Sequence, residues 1–403
     1  MLQNAPSSST DIEVPYLKAQ HVQWDGVGLS DLPNMWASPY EVESLHVTTG
    51  DLLVCEGGEV GRASIVAGNP PEETIIQNAL HLVRGRDTGE PRFLAYLLRH
   101  AATQDWFEVL CNRSTIAHFT VEKFREMWAS LPGAPLQRAI ADYLDRETAR
   151  LDAMVAAKQQ VLGLLAEKRR ALITRAVTRG LDPRASLRDS GIPWLGKIPA
   201  YWSLCHLKRV LSSLDYGISE SVDVTGCIAV LRMGDIRDGE LDYSNIGFVD
   251  SVEESLLLRP GDLLFNRTNS LDQIGKVALF RGRSDYPVSF ASYLVRLRCK
   301  PSASPDFLNW LLNSAFPLAW GRSEALPAIG QANLNPNRYA YLPIALPPLP
   351  EQYAIVAHIA AETAKVDGMR CATERTIALL KERRAALIAA AITGQIDIPE
   401  ATA

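Results

Sequence analysis

Two stretches of the chain carry apolar residues that step by alternating fours and threes. In the first they are Ile140, Leu144, Leu151, Met154, Val161, Leu165 and Leu172. In the second they are Ile355, Ile359, Val366, Met369, Leu380 and Leu387. Near-heptad spacing places such residues on one narrow stripe of a long α-helix. Glu147, Lys158 and Lys168 interrupt the first stripe. A helix of about 40 residues spans about 60 Å, longer than one small domain can cover. One stripe alone reads as ordinary core. Two matched stripes in one chain read as a pair, with Leu151, Leu165 and Leu172 meeting Val366, Leu380 and Leu387 in one seam. Elsewhere the period changes. "DLLVCEGG", "GRASIVAG", "GKVALF" and "ASYLVRLR" have strand character with glycine punctuation. "PRFLAYLLRHAATQDWFEVL" (91–110) and "PDFLNWLLNSAFPLAW" (305–320) read as short helices. No regular βαβ alternation marks a doubly wound sheet, so the predicted class is mixed α/β of the α+β kind.

The two stripes belong to an internal repeat. "QRAIADYLDRETARLDAM" (137–154) lies on "QYAIVAHIAAETAKVDGM" (352–369) at an offset of 215 residues. Upstream, "TGDLLVCEGGEVGRASIV" (49–66) meets "PGDLLFNRTNSLDQIGKVALF" (260–280), and "FLAYLL" (93–98) meets "FLNWLL" (307–312). The repeating unit is therefore a whole domain followed by a helix. Two such units about a pseudo-two-fold axis make an isologous contact, which runs the helices antiparallel. The predicted boundaries are a first head at 1–134, a central helical region at 135–185, a second head at 186–350 and a C-terminal helical region at 351–403.

Composition narrows the chemistry. The formal net charge is −5, which argues against a protein that coats nucleic acid wholesale but allows a local basic site. Residues 1–130 hold 9 Lys/Arg against 17 Asp/Glu, whereas residues 186–345 hold 16 of each. No run of 18 apolar residues indicates a membrane span. The polar start "MLQNAPSSSTDIEV" lacks the apolar core of a signal peptide. The six cysteines form no C-x-x-C pair. These features predict a cytoplasmic protein with reduced thiols. Catalytic motifs are decoys. "NPPE" (69–72) lacks the aromatic that stacks on a flipped base. "EGGEVG" (56–61) has no Lys-Ser/Thr after it and reads as a turn between strands. The histidines show no metal-ligand spacing.

The polar loops are candidates for binding DNA. Arg and Asn or Gln read guanine and adenine edges, while Lys suits phosphate. "FNRTNSLDQIGK" (265–276) supplies Arg267, Asn269 and Lys276, and "GQANLNPNR" (330–338) supplies Gln331 and Asn333. Turn formation by Asn and Gly explains the same residues equally well. Arg232, Arg281 and Arg322 add positive charge to the second head. The first offers only a few cations, among them Arg62, Arg84, Arg113 and Lys123. Phosphate attraction is therefore expected to be weaker at the first head.

These segments together resemble the specificity (S) subunit of type I restriction-modification systems. The resemblance rests on "GIPWLGKIPAYWSLCHLKRV" (191–210), "GDLLFNRTNSLDQIGKVALF" (261–280), "LPPLPEQYAIVAHI" (346–359), "LLKERRAALIAAAITGQID" (379–397) and the partner "RRALITRAVTRGLD" (169–182). It covers residues 14–398. It implies a non-catalytic subunit with two target-recognition domains, each reading half of a bipartite double-stranded DNA target. The paired helices would form the spacer and dock two methyltransferase (M) subunits, with restriction/translocase (R) subunits joining them. S-adenosylmethionine and ATP would then sit on those partners, leaving this chain without a cofactor or metal. One departure stands out. The second head takes forty residues from Gly191 to reach "LRMGDI", but the first reaches "LKAQHV" (17–22) after sixteen. About 24 residues of opening box have no counterpart. A degenerate subunit that assembles but reads one half-site or none is the alternative this raises.

Overall fold

The computed structural model describes residues 5–86, 89–111, 118–282, 285–328 and 330–399. The chain divides into two compact units, Met1–Gln159 with Glu374–Ala403, and Gln160–Thr373. Each unit therefore holds one head and a stretch of both long helices.

In the first unit, Ile12–Leu17 pairs antiparallel with Asn34–Ala37 and parallel with Ile75–Ile76. A second sheet centres on Leu52–Cys55, antiparallel to both Ala63–Ile65 and Leu80–Val83. The second unit repeats this plan. Ile228–Leu231 lies between antiparallel Gly247–Val249 and parallel Val288–Phe290. Leu263–Asn266 lies between antiparallel Val277–Leu279 and Leu294–Cys299. The two central strands, LLVC and LLFN, are buried at every position. Such strands read as continuous apolar runs because both faces are covered, here with helix Pro91–Thr103 or Pro305–Leu312 nearby. The second unit also has a hairpin of Leu187–Asp189 with Lys197–Pro199. Its larger sheet gains Leu211–Tyr216 beyond Leu294–Cys299.

The long helices are Ala134–Arg179 and Leu349–Ile392. In the first unit Ile140 and Leu144 share a core with Phe93, Ile388 and Ala391, while Asp152 pairs with Arg384 at 2.9 Å. In the second unit Ile173, Ala176 and Val177 share a core with Ile355 and Ile359, while Arg169 pairs with Asp367 at 3.6 Å. Within each unit, rising numbers on one helix meet falling numbers on the other, so the helices run antiparallel as expected. Leu151 and Val366 are buried. Leu172 and Leu387 pack at core margins, and Leu165 and Leu380 are half-buried. Met154, Val161 and Met369 are exposed, which narrows the stripe the periodicity predicts. A contact between two helices covers one line of side chains and leaves its flanks in water.

The repeat extends to individual hydrogen bonds. Gln137 accepts from Glu90 N at 3.0 Å and donates to Pro132 O at 2.7 Å. Its counterpart Gln352 accepts from Ser304 N at 2.7 Å and donates to Pro347 O at 2.9 Å. Both glutamines are buried, and each ties the first turn of a head helix to a long helix. Asp51 takes a bidentate clamp from Arg84 at 2.8 and 2.8 Å, and Asp262 takes one from Arg298 at 2.7 and 2.7 Å. Burial would raise the Asp51 carboxyl, but the Arg84 and Thr48 hydrogen bonds outweigh it and hold it below its ordinary value.

Candidate nucleic-acid interface

In the second unit the loop after Leu263–Asn266 is closed by Asn266 N on Lys276 O at 2.8 Å and Gly275 N on Asn266 O at 2.9 Å. The first unit closes "EGGEVG" identically, with Cys55 N on Arg62 O at 2.8 Å and Gly61 N on Cys55 O at 2.9 Å. Gly61 has φ +76, and a Cβ there would meet the Phe107 ring at 2.3 Å. That glycine serves a turn between strands.

From its closed loop the second unit builds a small sheet. Thr268–Asn269 pairs with Gln331–Asn333, which in turn pairs with Leu326–Ala328. Arg267 enters this sheet braced on three sides. It donates to Ser292 O at 3.4 Å and to Asn333 Oδ1 at 3.1 Å, and its guanidinium lies 5.1 Å from the Tyr216 ring centroid. Its buried Nε has no protein partner. Asn269 and Asn266 both donate to Met233 O, at 3.3 and 3.0 Å. Beside Met233, Arg232 donates to Asn245 O. Gln331 is exposed, and Tyr216 and Tyr293 keep 46% and 49% of their surface in water. The structure thus brings together Arg267, Asn269, Gln331 and Asn333, whereas the Arg232 side chain is spent on Asn245 O. Lys276 donates to Gln273 Oε1 at 2.8 Å and Arg322 to Asp272 O at 3.2 Å, so both flank the closed loop. Arg281 is held elsewhere, by Glu240 at 3.1 Å and Asp306 at 2.7 Å. Those two carboxylates, Glu240 foremost, hold its proton more tightly than usual.

The cluster offers amide edges, half-exposed aromatic faces and a pre-oriented guanidinium. Arg has five N–H donors, more than the two spent on Ser292 and Asn333. Such groups recognise base edges and phosphates.

The cations of the first unit are differently placed. Arg62 donates to Glu59 Oε2 and Ala19 O, each at 2.9 Å, and its side chain is 13% exposed. Arg84 is the clamp on Asp51 and also donates to His46 O. Lys123 donates to His118 O at 2.9 Å. Arg113 lies outside the described residues. The counterpart of Arg267 is Glu56. Leu334 N donates to Arg267 O and Phe119 N to Glu56 O, each at 2.8 Å. Matching positions therefore carry opposite charge.

Residue types alone did not single out Tyr216, nor the clamps on Asp262 and on Asp215, where Arg296 Nη2 lies 2.7 Å from Oδ2. The repeat held one usable signal, since Asp51 and Asp262 align within the shared "GDLL". Among the described residues, no group of three or more His, Cys, Asp or Glu is placed to hold a metal ion. No helix among them is long and apolar enough to cross a membrane.

No protein-family model matches the chain. It is 28% identical over 167 residues to a Methanocaldococcus jannaschii protein named for the MjaX type I restriction enzyme specificity subunit, covering 40% of this chain and 39% of that one. It is 22% identical over 311 residues to the EcoKI specificity subunit of Escherichia coli, covering 75% and 65%. It is 23% identical over 396 residues to the StySPI specificity subunit of Salmonella potsdam, covering 96% and 83%. The match thus spans less than two thirds of the first two relatives. Among solved structures, a chain from work on assembly of the type I R-M system aligns with a TM-score of 0.72 and 17% identity, covering 96% of this chain and 93% of that one. The HsdS subunit from Thermoanaerobacter tengcongensis aligns at 0.55 and 18%, covering 96% and 92%. At those identities the structural likeness speaks for the fold alone. By sequence the chain is a homologue of the type I restriction enzyme specificity subunits, and it has their fold.

Proposed function

We propose that this chain is the non-catalytic DNA-recognition subunit of a type I restriction-modification complex, reading a bipartite target with one head per half-site. The observation that carries this reading is the repetition of one head plan, down to Gln137 and Gln352, on stretches of two antiparallel helices. Two like heads suit a target with two specified parts. In the second unit Arg267, Asn269, Gln331 and Asn333 would face base edges, with Lys276 and Arg322 toward phosphates. The helices would dock two methyltransferase subunits, and restriction subunits would join them. S-adenosylmethionine and ATP would act on those partners, in the cytoplasm. The test is to express the chain with its modification partner and map methylated adenines across the genome. A bipartite motif that disappears when this chain is omitted supports the reading. Methylation unchanged without the chain overturns it.

A second reading, a subunit that reads only one half-site, is favoured by the 9-to-17 charge balance of residues 1–130 and by Glu56 in place of Arg267. Methylation at a motif with one specified half would decide for it.

A further inference from the structure

A cavity of about 390 Å³ in the second unit lies between the strand Leu211–Tyr216 and residues 337–341. No carboxylate lines it. The chain beside it is fixed by main-chain bonds: Leu207 N donates to Leu342 O and Lys208 N to Ala340 O, each at 2.8 Å. His206 Nδ1 donates to Tyr341 O at 2.7 Å. The Lys208 ammonium stands 3.7 Å from the centre of the Tyr341 ring, which keeps 53% of its surface in water. A ring stabilises a cation without neutralising it, so the charge of Lys208 remains available. Lys300 Nζ, donating to Arg209 O at 3.0 Å, adds positive charge close by. Of the two serines in the lining, Ser212 donates to Arg298 O at 3.1 Å and Ser213 to Asp215 Oδ2 at 2.7 Å. The side-chain donors that remain in the lining are the Lys208 ammonium, the Asn337 amide and the Tyr341 phenol.

Both walls lead from this cavity to the Arg267 cluster. Leu214 lines the cavity, and Tyr216, two residues along the same edge strand, faces the same side of the sheet. The Tyr216 ring meets the Arg267 guanidinium at 5.1 Å. On the other wall the chain runs from Asn337 back to Asn333, which accepts from Arg267 at 3.1 Å. We propose, on the DNA-recognition reading above, that this cavity seats one phosphodiester of the DNA strand whose bases the Arg267 cluster reads, with Lys208, Asn337 and Tyr341 as its donors. An ammonium flanked by amide and hydroxyl donors suits phosphate oxygens and carries no base preference, so its part is to fix the register of the duplex against Arg267. The strand Leu211–Tyr216 covers about 16 Å, and a DNA strand advances about 3.4 Å per base. The seated phosphate therefore lies about four to five bases from the base that Arg267 meets.

The test titrates the full chain, co-expressed with its modification partner, onto labelled cognate and mismatched duplexes over a range of salt. Loss of one phosphate contact removes about 0.9 from the slope of log affinity against log salt, which at about 0.15 M salt is about a fivefold loss. Lys208→Ala should show both effects, equally on the two duplexes, and Lys208→Arg should retain binding. Lys208 is exposed, so the variant keeps its fold, which circular dichroism checks. Duplexes with one neutral methylphosphonate linkage, moved a step at a time, locate the phosphate. At one position, about four to five bases from the base that Arg267→Ala relaxes, the neutral linkage should cost the parent about fivefold and Lys208→Ala nothing further. Unchanged affinity and slope in Lys208→Ala, with Arg267→Ala still weakening binding, overturn the proposal and leave the DNA-recognition reading standing. So does a scan in which no linkage couples to Lys208, the result that a purely structural clip of Lys208 on Tyr341, or a seat for free phosphate, would give. A complex that binds no duplex overturns both.

Discussion

Replacing Gln352 by methionine tests whether the second head is seated on its helix by a few buried hydrogen bonds. Methionine keeps nearly the same length and volume, so packing changes little. Three bonds go: the acceptor for Ser304 N at 2.7 Å, and the donors to Pro347 O at 2.9 Å and Ser302 O at 3.3 Å. A neutral hydrogen bond contributes about 1 kcal/mol net, and main-chain groups left buried without partners cost more. Gln352 has no exposed surface, so water does not easily replace it. The expected loss is about 3 kcal/mol. For a unit of about 200 residues, each kcal/mol lowers Tm by about 2–4 °C, which gives a fall of about 6–12 °C. Differential scanning calorimetry of the full chain can assign it, because two compact units can melt separately. Gln137→Met should lower the first unit's transition comparably. A fall of about 1 °C or less at Gln352 would refute the reasoning, since surface substitutions produce as much. The peptide bonds would then have found other partners.

Other outcomes follow from the same contacts. Arg267→Ala should weaken cognate DNA binding by about 1–3 kcal/mol and relax one position of the motif, as loss of a bidentate base contact does, measured by duplex titration at fixed salt. Lys276→Ala should weaken binding evenly across sequences and flatten its salt dependence. Burial would raise the Asp215 carboxyl, but Arg296 and Ser213 outweigh it and hold it below its ordinary value. A depressed carboxyl stabilises the fold above the unfolded carboxylate pKa of about 3.9, and that contribution is lost as pH falls through the lower folded value. Asp215→Asn should therefore lower Tm at pH 7, and the gap from the parent should close below about pH 4. A gap independent of pH would show that shape rather than charge is at stake. Duplexes carrying only the half-site of the second unit should bind more tightly than those carrying the other, in proportion to the local charge difference. Equal affinities at low salt would contradict that.

The sequence by itself determined the architecture. A stripe of fours and threes, copied 215 residues on, predicts two long helices and a repeated head, because helix periodicity and internal symmetry are local and countable. The aligned "GDLL" segments marked the central strands for the same reason. What only the tertiary structure decided is the use of each polar side chain. Arg62, Arg84 and Arg298 look alike as letters. Their roles follow from what lies across space: Ala19 and Glu59, the Asp51 carboxylate, and Asp262. Arg267 and Asn333 stand 66 residues apart yet share a hydrogen bond. Tyr216 gains its place beside them only when Leu211–Tyr216 joins the sheet edge. Exposure is decided the same way. Trp128 is a core-type residue by its letter and yet stands 91% exposed, because exposure is set by which segments pack nearby, and no local pattern records that.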